Sequence, residues 1–157
     1  MNLKTKTVTV EVISAFFIIL FVYAAFSKTQ DFEKFRVELG KSPILNAFAG
    51  YVAIMIPTSE ILIALFLIVK RFQYLALYAS FSLMVMFSFY ILMILNFSPY
   101  IPCSCGGVLE NMTWKQHLIF NIISVGLSVI AILNYPSKSK ELICSKREIL
   151  YPRNIRR

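Results

Sequence analysis

Residues 72–96 read FQYLALYASFSLMVMFSFYILMILN, a run without one charged side chain. A helix needs about 20 mainly apolar residues to cross the hydrocarbon core of a bilayer, and this run is long enough. Inside lipid only helices and closed barrels satisfy their own backbone polar groups, and no strand-like alternation argues for a barrel. Three further segments fit the same description. Residues 8–26 are apolar apart from Thr9, Glu11 and Ser14. Residues 46–69 are interrupted only by Pro57 and Glu60 and a few small polar residues, and residues 114–134 form the fourth. The fold expected is all-α: a polytopic membrane four-helix bundle over residues 1–135, followed by a basic tail over 136–157.

Composition supports lipid as part of the solvent. The chain has 157 residues, 58% of them hydrophobic and 15% charged, against about 25% charged in ordinary soluble domains. A soluble domain this small could not bury so much apolar surface. The net charge of +8 then reads as contact with anionic lipid, because no basic-aromatic motif points to nucleic acid. Lys4 and Lys6 ahead of the first segment, with Val22-Tyr23-Ala24 within it, loosely resemble a cleaved signal peptide. The run is too long for that, and aromatics crowd the cleavage point, so it is read as a retained span.

Short-loop basic residues set orientation. Eleven of the sixteen Lys and Arg fall on one face if both termini are inside: Lys4, Lys6, Lys70, Arg71 and seven in the tail. The expected topology is therefore N-in and C-in across a bacterial inner membrane, with the tail on the anionic inner leaflet. Cys144, in that tail, is a bystander thiol. The first outer loop carries Phe32, Phe35 and Leu39 at helical spacing, then Gly40 and Ser42-Pro43 as a stop signal. It is expected to form a short amphipathic helix lying at the outer interface, either capping the bundle or docking a soluble partner.

The second outer loop contains PCSCGG, residues 102–107. Two cysteines at i and i+2 can bridge only if the backbone bends, and Pro102, Gly106 and Gly107 supply residues that bend it. Glu110 disfavours a thiolate here, while Lys115 and a helix N-terminus capped by Thr113 favour one. Cys103 and Cys105 can thus act as a redox dithiol or a permanent staple. A metal site with His117 as third ligand is a further alternative, although zinc wants four ligands. Asn111-Met112-Thr113 matches a glycosylation acceptor only formally.

Glu60 lies deep in the second segment, one helical turn from Pro57. Intramembrane carboxylates generally face the bundle interior and carry function. No Lys or Arg is read as embedded beside it, so Glu60 is expected to be protonated or strongly hydrogen-bonded. It can relay protons, bind a polar head group such as a quinone carbonyl, or brace the Pro57 region. Glu11 lies nearer the inner face and reaches water. Tyr90, Asn96 and Asn121 are expected to hydrogen-bond between helices, and Trp114 to anchor at the interface. Ala76/Ser80 and Ser124/Ser128 place small residues four apart, which permits close helix packing.

With these motifs placed, residues 8–135 resemble the MauE family, within the wider set of MauE/DoxX-like redox-associated membrane proteins. The resemblance rests on DFEKF at 31–35, SPIL at 42–45, IPTSEILIAL at 56–65 and PCSCGGVLENMTWKQHLIFN at 102–121. The chain departs from the family pattern at Gly106, where members often carry an aromatic. The resemblance implies an accessory of methylamine utilisation that works with a periplasmic thioredoxin-like partner in maturing methylamine dehydrogenase. It gives Cys103 and Cys105 the redox role and Glu60 a family position of unassigned purpose. Thiol–disulfide exchange then passes through a mixed disulfide. With one outward pair, electrons pass to or from another protein or a membrane quinone. A non-catalytic scaffold, with the cysteines as a staple, is the alternative from another class. A transporter using Glu60 is a third, weakened by the absence of paired half-helices.

Overall fold

The structure is a computed structural model that describes residues 3–41, 46–97 and 113–135. Cys103, Cys105, Gly106, Cys144 and the 136–157 tail lie outside the described residues. Among the described residues there are five α-helices: α1 Leu3–Gln30, α2 Phe32–Lys41, α3 Ala49–Ile68, α4 Gln73–Phe97 and α5 Trp114–Asn134, with a 3-10 turn at Asn46–Phe48 ahead of α3. There is no strand among the described residues. Four of the helices are long and apolar enough to cross a membrane, so the chain is a multi-pass membrane protein with an all-α bundle fold.

The spans run alternately up and down, with α1 packed most extensively on α3 and α4 on α5. Each buries a narrow stripe at three- and four-residue steps. On α1 the stripe is Val10, Ile13, Phe17, Phe21 and Ala25; on α3 it is Ala53, Pro57, Glu60, Ala64 and Leu67. Phe17 and Phe21 stack with ring centres 5.7 Å apart in the middle of the core. The opposite faces stay apolar and exposed, as at Ile19, Tyr51 and Leu133, which is the pattern of a bundle whose surroundings are lipid.

Ala76, Ser80, Ser124 and Ser128 are all buried. The small residues that the sequence places four apart thus face the bundle interior on α4 and α5, and they do so without leaving hydroxyls orphaned. Ser80 donates to Ala76 O at 2.8 Å, Ser124 to Phe120 O at 2.9 Å and Ser128 to Val125 O at 2.7 Å. Pro57 sits inside α3 and cannot donate to the preceding turn. Next to it, Thr58 and Ser59 donate their hydroxyls to Ile54 O and Ile56 O.

At one pole, here called the Lys70 end, Lys70 on the α3–α4 turn pairs with Glu11 at 2.7 Å, and Gln73 Nε2 donates to Ser14 Oγ at 3.1 Å. At the other pole, the Lys28 end, α2 folds back onto the start of α3. Its Phe35 and Leu39 form a small second core with Ala49 and Ala53. The expected amphipathic helix is thus present over Phe32–Lys41 and packs its apolar face on the bundle, while the stop signal at Ser42-Pro43 lies outside the described residues.

Candidate functional site

The functional interest lies at the Lys28 end, inside the bundle. α1 continues about one turn beyond residue 26, the end expected from hydropathy, and that extra turn carries Lys28 over the interior. Its Nζ lies 2.5 Å from Glu60 Oε1, with side chains 12% and 1% exposed. The expectation that Glu60 has no embedded basic partner is therefore corrected. The physical reason is that a lysine at a helix end can lay its methylene stem along apolar surface while its ammonium reaches a distant anion. Here it reaches inward. Phe35 and Phe87 flank the ammonium, with ring centres 6.0 and 5.7 Å away, distances at which the ring faces add to its stabilisation.

The pair forms one wall of a cavity of about 430 Å³, within the range that encloses small organic ligands. Most of its lining is apolar, including Phe21, Val52, Ile56, Leu83, Phe87 and Phe120, and α2 contributes Phe35 and Leu39 as a cover. The polar lining comes from all four spans: Lys28 from α1, Ser59 and Glu60 from α3, Tyr90 from α4, and His117 and Asn121 from α5. Glu60 Oε2 and Asn121 Nδ2 are buried with no hydrogen-bond partner among the described residues. One is an acceptor and the other a donor, and both belong to residues that line the same space.

α5 is held by the cap that Thr113 provides. Gln116 N donates to Thr113 Oγ1 at 3.4 Å and Thr113 N donates to Gln116 Oε1 at 3.0 Å, a reciprocal capping box. This fixes the first turn, on which Trp114 and His117 stack with ring centres 6.4 Å apart. His117 and Asn121, four residues apart, then share the face that lines the cavity.

Other expected roles divide. Asn96 is exposed and bridges no helices among the described residues: its Nδ2 donates to Leu92 O of its own helix at 2.8 Å. Asn121 makes no bridge through Nδ2 among the described residues, and both Asn121 and Tyr90 line the cavity. Trp114 is half-buried and belongs to the cavity wall. No group of three His, Cys, Asp or Glu side chains able to hold a metal is formed among the described residues. Lys28 escaped the sequence reading, yet a signal was available. It continues the buried stripe Phe17, Phe21, Ala24 and Ala25 at the next helical step, whereas its charge assigned it to a loop.

These features define a class: a small polytopic membrane protein with a mainly apolar cavity, set with a few polar groups, at one end of a four-span bundle. The family described as methylamine utilisation protein MauE matches residues 6–134, and the chain belongs to that family. No curated protein and no solved structure matches it.

Proposed function

We propose that the protein is a membrane redox accessory that exchanges thiols and disulfides through Cys103 and Cys105 with a thioredoxin-like partner on the periplasmic side of the inner membrane. Family membership supports a task in methylamine utilisation, with maturation of methylamine dehydrogenase as the client process. The observation that carries the reading is the placement of the two helix ends that bracket the cysteine segment. α4 finishes at Phe97 and α5 starts, firmly capped, after Thr113. Both ends lie at the pole that holds the Lys28–Glu60 pair and the cavity.

In the exchange step a thiolate attacks one sulfur of a disulfide, forming a mixed disulfide and releasing the other sulfur as thiolate. The second cysteine of the pair then displaces the first bond, so one disulfide is lost as another forms. The test is thiol trapping in intact cells of a Cys144→Ser variant, using a membrane-impermeant maleimide. Labelling of Cys103 and Cys105 only after mild reduction is the expected result, together with complete loss of client maturation in Cys103→Ser and in Cys105→Ser. Partial activity in both single variants would instead identify a staple in a scaffold protein. Labelling without reductant would remove the disulfide from the scheme.

A further inference from the structure

We propose that the cavity at the Lys28 end is a binding site for the head group of a membrane quinone. The wall chemistry narrows the ligand class. Lys28 and Glu60 compensate each other's charge, so the site favours a neutral polar molecule over an ion. Asn121 Nδ2 is a buried donor in want of an acceptor, and Glu60 Oε2 a buried acceptor in want of a donor. Such atoms are costly to leave unpaired. A planar ring bearing carbonyl oxygens that become hydroxyls on reduction offers both kinds of partner, one in each oxidation state. The aromatic and aliphatic lining suits the ring itself.

The cavity also has a route for an apolar tail. Met55 on α3 and Met86 on α4 line it and are at the same time exposed on the lipid-facing surface, at 69% and 52%. The cavity lining thus reaches the outer surface through flexible thioether side chains, which adapt readily to an irregular chain. A soluble metabolite has no use for such a route, whereas an isoprenoid tail does.

The redox use of this site rests on the thiol-exchange reading; the binding does not. Forming one S–S bond from two thiols releases two electrons and two protons, and reducing one quinone to its hydroquinone takes up the same number. The dithiol and the quinone are therefore matched partners in either direction.

The chain has a single tryptophan, and Trp114 lines the cavity, so binding can be read as quenching of its fluorescence. The full chain with all three cysteines replaced by serine is placed in nanodiscs of synthetic phosphatidylcholine and titrated with decylubiquinone, with decylbenzene as a probe sharing only the tail. Saturable quenching by the quinone over decylbenzene is expected, weakened about tenfold in Asn121→Leu through loss of one hydrogen bond to a carbonyl; in a parallel titration with the reduced decylubiquinol, whose hydroxyl donates to Glu60 Oε2, Glu60→Gln is expected to weaken binding by a similar factor. Asn121→Leu removes a buried amide while keeping its approximate size, so its bundle stays folded by circular dichroism. Quenching that rises without saturation, or that is equal in both variants and the parent, overturns the proposal. Because the cysteines are absent, this titration bears on the cavity alone and the trapping experiment on the pair alone.

Discussion

A carboxylate 1% exposed inside a membrane-spanning helix has few ways to exist. It can give up its charge, meet a cation, or accept hydrogen bonds from its surroundings. Glu60 meets Lys28, and the pair then behaves as one dipolar unit between α1 and α3. The worth of such a unit is asymmetric, because desolvation consumes most of the attraction, while removal of one partner strands the other. Lys28→Met is accordingly expected to destabilise the bundle by about 2–4 kcal/mol, read as a lowered thermal midpoint in detergent. The double variant Lys28→Met/Glu60→Leu should recover the larger share of that loss. Simple addition of the two single losses in the double variant would show that the groups do not act as a pair. Glu60 was legible as unusual from its depth alone. Its partner was not, because a basic residue at the edge of a hydrophobic run is read by charge before it is read by periodicity.

At the scale of one element, α5 shows how local signals position a site. Thr113 and Gln116 satisfy the first backbone donors, and the fixed first turn sets the phase of everything after it. That phase puts His117 and Asn121 on the cavity wall and buries Ser124 and Ser128 in the bundle. Thr113→Ala is expected to cost about 1 kcal/mol and to loosen the Trp114–His117 turn, seen as a changed Trp114 emission maximum. Ser128→Leu attacks the other half of the helix. A larger side chain at a position 0% exposed cannot be accommodated without displacing the helices packed on α5, at a cost of about 1–3 kcal/mol. Ile123→Leu, 57% exposed to the lipid side, should leave the midpoint unchanged. The cap and the small-residue spacing were both readable in sequence, since each depends on neighbours in the chain. Asn96 and Asn121 were indistinguishable there. Only the helix phase in the assembled bundle separates an exposed amide that turns back on Leu92 from a buried one left facing a cavity.

Across the whole molecule the two poles differ in character. The Lys70 end is closed by Lys70–Glu11, by Gln73 on Ser14 and by the rings of Tyr74 and Tyr135, 5.0 Å apart. The Lys28 end is roofed by a short helix and hollow beneath it. The four spans followed from hydropathy, because each apolar run is long enough to cross a bilayer, although α1 runs past the end that hydropathy gives it. The hollow did not, because a cavity is made by what four helices fail to fill together. The proposed exchange with a periplasmic partner requires the hollow pole to face the oxidising compartment, which is the orientation expected from the basic residues Lys70, Arg71 and those of the tail. Single cysteines introduced by Glu33→Cys, 78% exposed on α2, and Arg71→Cys, exposed beside the α3–α4 turn, test it in a chain otherwise free of cysteine. The impermeant maleimide should label Glu33→Cys in intact cells and Arg71→Cys only after the membrane is breached. The reverse pattern would turn the cavity and the cysteine segment toward the reducing side. A disulfide there would be opposed by the cytosolic thiol pool, and the exchange chemistry would have to run from dithiol to quinone without a periplasmic partner.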